Sequence, residues 1–318
     1  MLARTLVLKT AAFGPVEGAV RRARLFRPLV RRFIAGDTLE EAIRGSESLL
    51  GKRLMVTLDY LGENTHSEAE ALEAKATYGR MLDRIAQVPQ VAAYSKGPRP
   101  GSHEPLNISI KLTQCGLDQG EAFAEANYRD VVRKAAEVGT FVRIDMEASE
   151  YTARTVEIVE RVFREFPNTG TVLQSYLHRT DDDVERMIGL GARVRLVKGA
   201  YLEPESVAYP SKAKVDEQFV KQGKRLLQAG NYPALATHDE AAIREFNAYA
   251  EAQGIDKGRF EYQMLYGIRR DLQDSLRDRG YNVRVYVPFG DAWYPYFTRR
   301  LAERPANALF IVKSLFKG

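Results

Sequence analysis

Cysteine is almost absent from this chain: Cys115 stands alone, which excludes an internal disulfide framework and any cysteine-based zinc site. A reducing compartment, the cytoplasm, suits that composition. No run of roughly 18 apolar residues occurs, so no membrane-spanning helix is expected. The four histidines, His66, His103, His178 and His238, show no metal-ligand spacing, and no HExxH pattern is present, so no metal is expected. No glycine-rich dinucleotide fingerprint follows an early strand, and there is no Walker loop. A serine or cysteine nucleophile with a histidine partner is not evident. The net charge of +5 is too mild for a dedicated nucleic-acid binder.

What remains is a globular composition, 45% hydrophobic and 28% charged, over 318 residues. Short β-rich runs alternate with amphipathic helical stretches: residues 53–60, 106–112, 140–147, 171–177, 193–199, 232–238, 260–265 and 282–290. Eight strands, each followed by room for a helix, predict a (β/α)₈ barrel of the TIM type over residues 51–318. Residues 1–50 read as an amino-terminal helical arm. Its second helix is announced by Thr38 and Glu41, the two ends of a capping box. The arm holds many arginines and one acid before residue 34, Glu17, so it could also pass for a transit peptide. Its secondary reading is a basic amphipathic contact, peripheral to the inner membrane or to a partner.

Alternation along a strand sorts side chains to two faces. In "LNISIKL", Leu106, Ile108, Ile110 and Leu112 should face the helices, and Asn107, Ser109 and Lys111 the barrel axis. The same parity turns Thr57, Asp59, Arg143, Asp145, Gln174, Arg195, Gln263 and Tyr286 inward, while the alanines of "PALATH" leave the sixth strand unassigned. Ordinary barrels fill this space with Val, Ile and Leu. Unpaired polar groups there would cost several kcal/mol each. An internal network that only fixes the barrel is one explanation. A site floor is the better one, because Lys111, Asp145, Arg195 and Tyr286 fall near the carboxyl ends of their strands, the face where barrels do chemistry.

Beyond the last strand, "WYPYFTRRLAERP" sets Tyr296, Arg299, Arg300 and Glu303 at helical i, i+3, i+4 spacing. Such a face is either solvated or a clamp for a small anion, since an arginine fork suits a carboxylate. Lys198 raises a second option, a Schiff-base lysine. By the parity of Val194 and Leu196 it falls on the outer side unless the strand ends before it. A cationic floor suits one substrate carboxylate together with an electron-rich cofactor. Spacing does not name that cofactor.

The motifs "SIKLTQCG", "RIDMEAS", "TVLQSYLHR", "RVRLVKGAYLEP", "ATHD", "FEYQMLYGIRRDLQ", "RVYVPFG" and "YPYFTRRLAERP" stand in the order seen in proline dehydrogenases. From about Asp59 onward the chain resembles a monofunctional bacterial member of that flavoenzyme family. The resemblance implies a distorted barrel that holds FAD noncovalently. It also implies oxidation of L-proline to Δ1-pyrroline-5-carboxylate, by hydride transfer from C5 to flavin N5, with electrons passing to a membrane quinone. On the same footing, Arg299, Arg300 and Lys111 would grip the proline carboxylate. Leu265 and Tyr286 would wall the ring, and Tyr201 and Asp145 would complete the catalytic set. Gln174, Arg195, Lys198, Gly199, Ala200, Thr237 and His238 would contact FAD. Glu63 would close a lid by pairing with Arg299. No aldehyde dehydrogenase module is visible, so a separate pyrroline-5-carboxylate dehydrogenase is the expected partner. The arginine-rich "RRARLFRPLVRR" departs from the family pattern. Two other readings remain open: a Schiff-base lyase using Lys198, and a basic module for RNA or an anionic membrane.

Overall fold

The computed structural model describes residues 27–97 and 103–302. Two helices come first, α1 (Arg27–Phe33) and α2 (Leu39–Gly51). The capping box at the start of α2 is formed: the Glu41 amide donates to Thr38 Oγ1 and the Thr38 amide to Glu41 Oε2, both at 3.3 Å. Then β1 (Met55–Tyr60) leads through α3 (Glu68–Ala86) and α4 (Pro89–Lys96) to β2 (Leu106–Ile110). The alternation continues with α5 (Glu121–Val138), β3 (Val142–Ile144), α6 (Ser149–Phe163), β4 (Thr169–Gln174), α7 (Thr180–Leu190) and β5 (Arg193–Val197). It ends with α8 (Lys212–Ala229), β6 (Ala234–Ala236), α9 (Glu240–Ala252), β7 (Glu261–Leu265), α10 (Arg270–Asp278), β8 (Asn282–Phe289) and α11 (Trp293–Ala302).

All eight strands pair in parallel in chain order, and β1 closes the barrel on β8 with Thr57 opposite Tyr286. The predicted alternation explains the packing. Leu106, Ile108 and Ile110 of β2, with Val194 and Leu196 of β5 and Val283, Val285 and Val287 of β8, join the hydrophobic core under the helices. Glycines in the left-handed region end α5 and α7, at Gly139 (φ 74°) and Gly191 (φ 78°), where an L side chain would be strained. Several strands are shorter than their β-rich runs. The third spans Val142–Ile144 rather than 140–147 and the sixth Ala234–Ala236 rather than 232–238, while the fourth begins at Thr169. The residues beyond these ends, Asp145 to Glu147 and Thr237 to Asp239, leave the ladder to build loops at the carboxyl face.

The distortion lies in the helices. α2 packs on the outside of β1 and β8, where a regular barrel would place the helix after the last strand. α11 instead crosses the barrel mouth and packs against α1 through Val30, Phe33, Ile34, Leu61, Tyr296 and Phe297. Phe33 and Phe297 meet at 6.3 Å between ring centres. Gly267, after β7, braces this arrangement: its φ is 73°, and a Cβ there would lie 1.7 Å from the Arg32 carbonyl oxygen. Gly267→Ala is therefore expected to lose more than the roughly 1–2 kcal/mol of left-handed strain alone, because backbone must move as well. Thermal unfolding of the variant checks this, and an unchanged midpoint would mean that α1 is not braced there.

Candidate active site

At the carboxyl face the strands and loops enclose a cavity of about 690 Å³. Every one of the fifteen candidate residues, Glu63, Lys111, Asp145, Gln174, Arg195, Lys198, Gly199, Ala200, Tyr201, Thr237, His238, Leu265, Tyr286, Arg299 and Arg300, lines it. Glu303 and residues 1–26 of the arm lie outside the described residues.

The floor is a charged hydrogen-bond cluster. Arg195 donates from Nη1 to Asp145 Oδ1 at 2.6 Å, from Nη2 to Ser109 Oγ at 3.1 Å, and from Nε to Gln263 Oε1. Tyr286 donates its hydroxyl to the other Asp145 oxygen at 2.6 Å, and the Arg195 guanidinium lies 5.1 Å from the centre of its ring. Asp145 thus holds the guanidinium and the phenol in one fixed arrangement. Beside them Lys111 Nζ donates to Asp59 Oδ1 at 2.7 Å, both side chains being buried. Burial opposes the Lys111 charge, but Asp59, Asp145 and Glu63 hold the ammonium above its ordinary range. Burial, with Asp145 nearby, pushes the Asp59 carboxyl up even though Lys111 opposes this. Burial and the Asp145 carboxylate likewise push the Tyr286 phenol well up, so it stays a proton-bearing donor.

The rim carries the rest. Arg299 Nη2 reaches Glu63 Oε1 at 2.6 Å, joining α11 to the loop after β1. The same guanidinium lies 5.8 Å from the centre of the Tyr201 ring, and Arg300 lies 5.3 Å from that of Tyr296. The Leu265 amide donates to His238 Nε2 at 3.0 Å, which ties the loop after β6 to the end of β7. β5 ends at Val197, so Lys198 escapes the outward parity of its strand. Its Nζ reaches Asp216 Oδ1 at 2.6 Å and Asp239 Oδ2 at 2.8 Å. Burial lowers this ammonium, and the two carboxylates more than reverse that. Gly199 has φ 116°, and a Cβ there would meet the Tyr176 ring at 2.3 Å, so this stretch of the wall must be bare backbone. On β6, left unassigned by parity, Ala236 turns to the cavity.

Two groups of buried residues escaped the sequence reading. Glu147, at the end of the "DME" step, accepts from Thr113 Oγ1 at 2.5 Å and from the Thr113 amide at 3.2 Å, and burial pushes its carboxyl up to about 7. Under the floor lies a second polar layer. Arg284, 1% exposed, donates to Glu261 Oε1 at 2.9 Å and to Glu104 Oε1 at 3.3 Å. Glu104 also takes Arg193 at 2.9 Å and Asn107 at 2.9 Å. Burial alone would raise the Glu104 carboxyl, yet Arg193 and Arg284 bring it down to about 2. Gln263 links the layers, donating to Glu261 and accepting from Arg195. Arg284 and Glu261 share the parity of Tyr286 and Gln263, so the signal was present; Glu104 lies in a loop and gave none.

A closed barrel whose carboxyl-face cavity holds Lys111, Arg195, Arg299 and Arg300 beside Tyr201, Tyr286 and Tyr296 has the form of an enzyme for a small substrate that carries a carboxylate. The comparisons with known proteins make this particular. The family model for proline dehydrogenase matches residues 42–313. The proline dehydrogenase of Deinococcus radiodurans is 40% identical over 322 residues, covering all of this chain and 99% of that one. Proline dehydrogenase 1 of Bacillus subtilis strain 168 is 40% identical over 316 residues, covering 99% and 96%. A crystal structure of proline utilization A from Bdellovibrio bacteriovorus, inactivated by N-propargylglycine, superposes with a TM-score of 0.80 at 28% identity. It covers 91% of this chain and 34% of that longer one. The chain belongs to the proline dehydrogenase family, and it is an enzyme that oxidises proline.

Among the described residues no helix is long and apolar enough to cross a membrane.

Proposed function

We propose that the chain converts L-proline to Δ1-pyrroline-5-carboxylate with noncovalent FAD, as the first step of proline catabolism. A membrane quinone would take the electrons, and a separate pyrroline-5-carboxylate dehydrogenase would take the product. The observation that carries this reading is the Arg195–Asp145–Tyr286 floor, with Lys111 beside it and Arg299 and Arg300 at the rim above.

The residues present fit a flavin. Arg195 offers a fixed positive charge to an electron-rich edge, and Gly199 lines the cavity with bare backbone because Tyr176 packs where a side chain would stand. Gln174, Lys198, Gly199, Ala200, Thr237 and His238 would hold it along the β4 to β6 side. When bound, FAD supplies the acceptor for the hydride that leaves proline C5. The chain's own residues do the rest. Arg299, Arg300 and Lys111 would bind the substrate carboxylate by charge-assisted hydrogen bonds, and Leu265, Tyr201 and Tyr286 would orient the ring. Asp145 keeps Arg195 and Tyr286 in register, and the imine is complete once the nitrogen has given its proton to solvent. The Glu63–Arg299 pair would close the loop and exclude water. The Schiff-base alternative is disfavoured, because a nucleophilic lysine needs a lowered pKa and Lys198 is held charged by Asp216 and Asp239.

The test is the visible spectrum of the purified protein before and after anaerobic L-proline. Flavin bands that bleach support the reading; bands that persist redirect the substrate to another cyclic or N-alkyl amino acid. No bands after reconstitution with FAD would overturn it. Glu63→Ala is expected to raise KM for proline roughly fivefold, equivalent to about 1 kcal/mol for a partly exposed charged bond, with folding unchanged. Steady-state kinetics decide this, and a wild-type KM would mean that the loop does not gate.

A further inference from the structure

The loop that carries Glu63 takes an unusual conformation, and a buried hydroxyl meets it at its most strained residue, while Gln119 Nε2 donates to the Thr65 carbonyl at 2.7 Å further along. Asn64, next to Glu63, has φ 54°, in the left-handed region where a non-glycine residue needs support from its surroundings. Its amide donates to Thr113 Oγ1 at 3.0 Å. Thr113 is fully buried in the loop after β2, and a threonine hydroxyl has a single hydrogen to give. That hydrogen goes to Glu147 Oε1 at 2.5 Å, which turns the oxygen's lone pairs toward Asn64. The Thr113 amide donates to the second Glu147 oxygen, so the carboxyl group grips Thr113 at two points. Thr65 adds a further contact from the lid, its hydroxyl donating to the Thr113 carbonyl at 2.8 Å. On its other side the Glu147 carbonyl accepts from Gln174 Nε2 at 2.9 Å, and Gln174 lines the cavity.

We infer that Thr113 is a positioning residue for closure of the site: Glu147 orients its hydroxyl, and the hydroxyl holds the loop so that Glu63 reaches Arg299. This rests on the reading of Glu63 as a gate. The tether itself does not depend on that reading, since it concerns only where the loop sits. Thr113→Val keeps the shape of the side chain and removes the hydroxyl, while Thr113→Ser keeps the hydroxyl and removes the methyl group.

The experiment uses the flavin-loaded enzyme and two readouts. In Thr113→Val, amide hydrogen exchange over residues 61–67 should become at least ~10-fold faster, because the loop loses an anchoring bond. KM for proline should rise roughly three- to tenfold, with kcat changed less, because the ordering of the loop is then taken from substrate binding. Thr113→Ser should restore both values, which a purely structural role of the side chain in core packing would not predict. If the valine variant does not fold, Thr113→Ala takes its place. Wild-type exchange and KM in the hydroxyl-free variant, or failure of serine to restore them, overturns the inference. A kinetically silent Glu63→Ala beside a loosened loop in Thr113→Val would instead sink the gate and keep the tether.

Discussion

Arg284→Met is expected to lower the free energy of unfolding by about 3–5 kcal/mol, the usual cost of removing one partner from a buried ion pair. Arg284 is 1% exposed and serves both Glu261 and Glu104, so its removal leaves two carboxylates buried with one cation, Arg193, still on Glu104. Methionine restores most of the volume, which makes the loss electrostatic rather than a cavity effect. The pH dependence gives a second check. In the wild type, Glu104 has its folded pKa brought down to about 2, below the value of ~4.3 expected when unfolded. The stability it contributes is therefore complete above that unfolded value and is lost as pH falls toward 2. In the variant, the stranded Glu261 should shift the other way, with a folded pKa above its unfolded value. The deficit should then grow as pH rises from ~4 toward neutrality and shrink on acidification. Denaturant unfolding at several pH values measures both effects, and a loss under ~1 kcal/mol would show that the layer behaves like a surface pair. Arg284 does not line the cavity, so flavin content and KM should hold in protein that remains folded.

The same lower layer shows what could be read from the sequence and what could not. Period-two parity placed Lys111, Asp145, Arg195, Gln263 and Tyr286 on the axis, because a strand's geometry leaves a side chain only two directions. Arg284 and Glu261 follow the same rule, and the structure gives them a network of their own beneath the floor. The ends of strands were harder to see. β-rich composition runs on through "DME" and "THD", but the strands end at Ile144 and Ala236, and the side chains beyond them serve the site: Asp145 takes Arg195 and Tyr286, and Glu147 takes Thr113. For Lys198 parity left two outcomes, depending on where the strand ends, and it ends one residue earlier, at Val197. The Thr113–Glu147–Asn64 tether is invisible in one dimension, since it joins three loops 34 and 49 residues apart. The arginine pair of "TRRLAERP" presented an ambiguous face until α11 was seen to cross the mouth with Arg299 on Glu63. No local pattern distinguishes that helix from one packed on the barrel's flank.

Arg195→Met is expected to slow proline-dependent flavin reduction by roughly 10²–10³, the range found when a fixed donor to developing charge is removed. Three bonds hold this guanidinium, to Asp145, Ser109 and Gln263, and Glu261 in turn fixes the Gln263 amide so that its oxygen faces Arg195. The charge is thus placed before substrate arrives, and with the proposed flavin in place no reorganisation would be needed as it gains electrons. Methionine deletes the charge and also leaves Asp145 with Tyr286 as its remaining partner in the floor. Arg195→Lys separates the two losses. Lysine keeps a positive charge but cannot span Asp145 and Gln263 with one rigid fork. If charge alone matters, the lysine variant should recover most of the rate; if orientation matters, it should fall near the methionine variant. The flavin midpoint potential, measured alongside stopped-flow reduction, should drop in Arg195→Met because the reduced anionic form loses its stabilising neighbour. A wild-type reduction rate and potential in the methionine variant would remove Arg195 from the chemistry. It would then leave the floor as a network that only shapes the barrel.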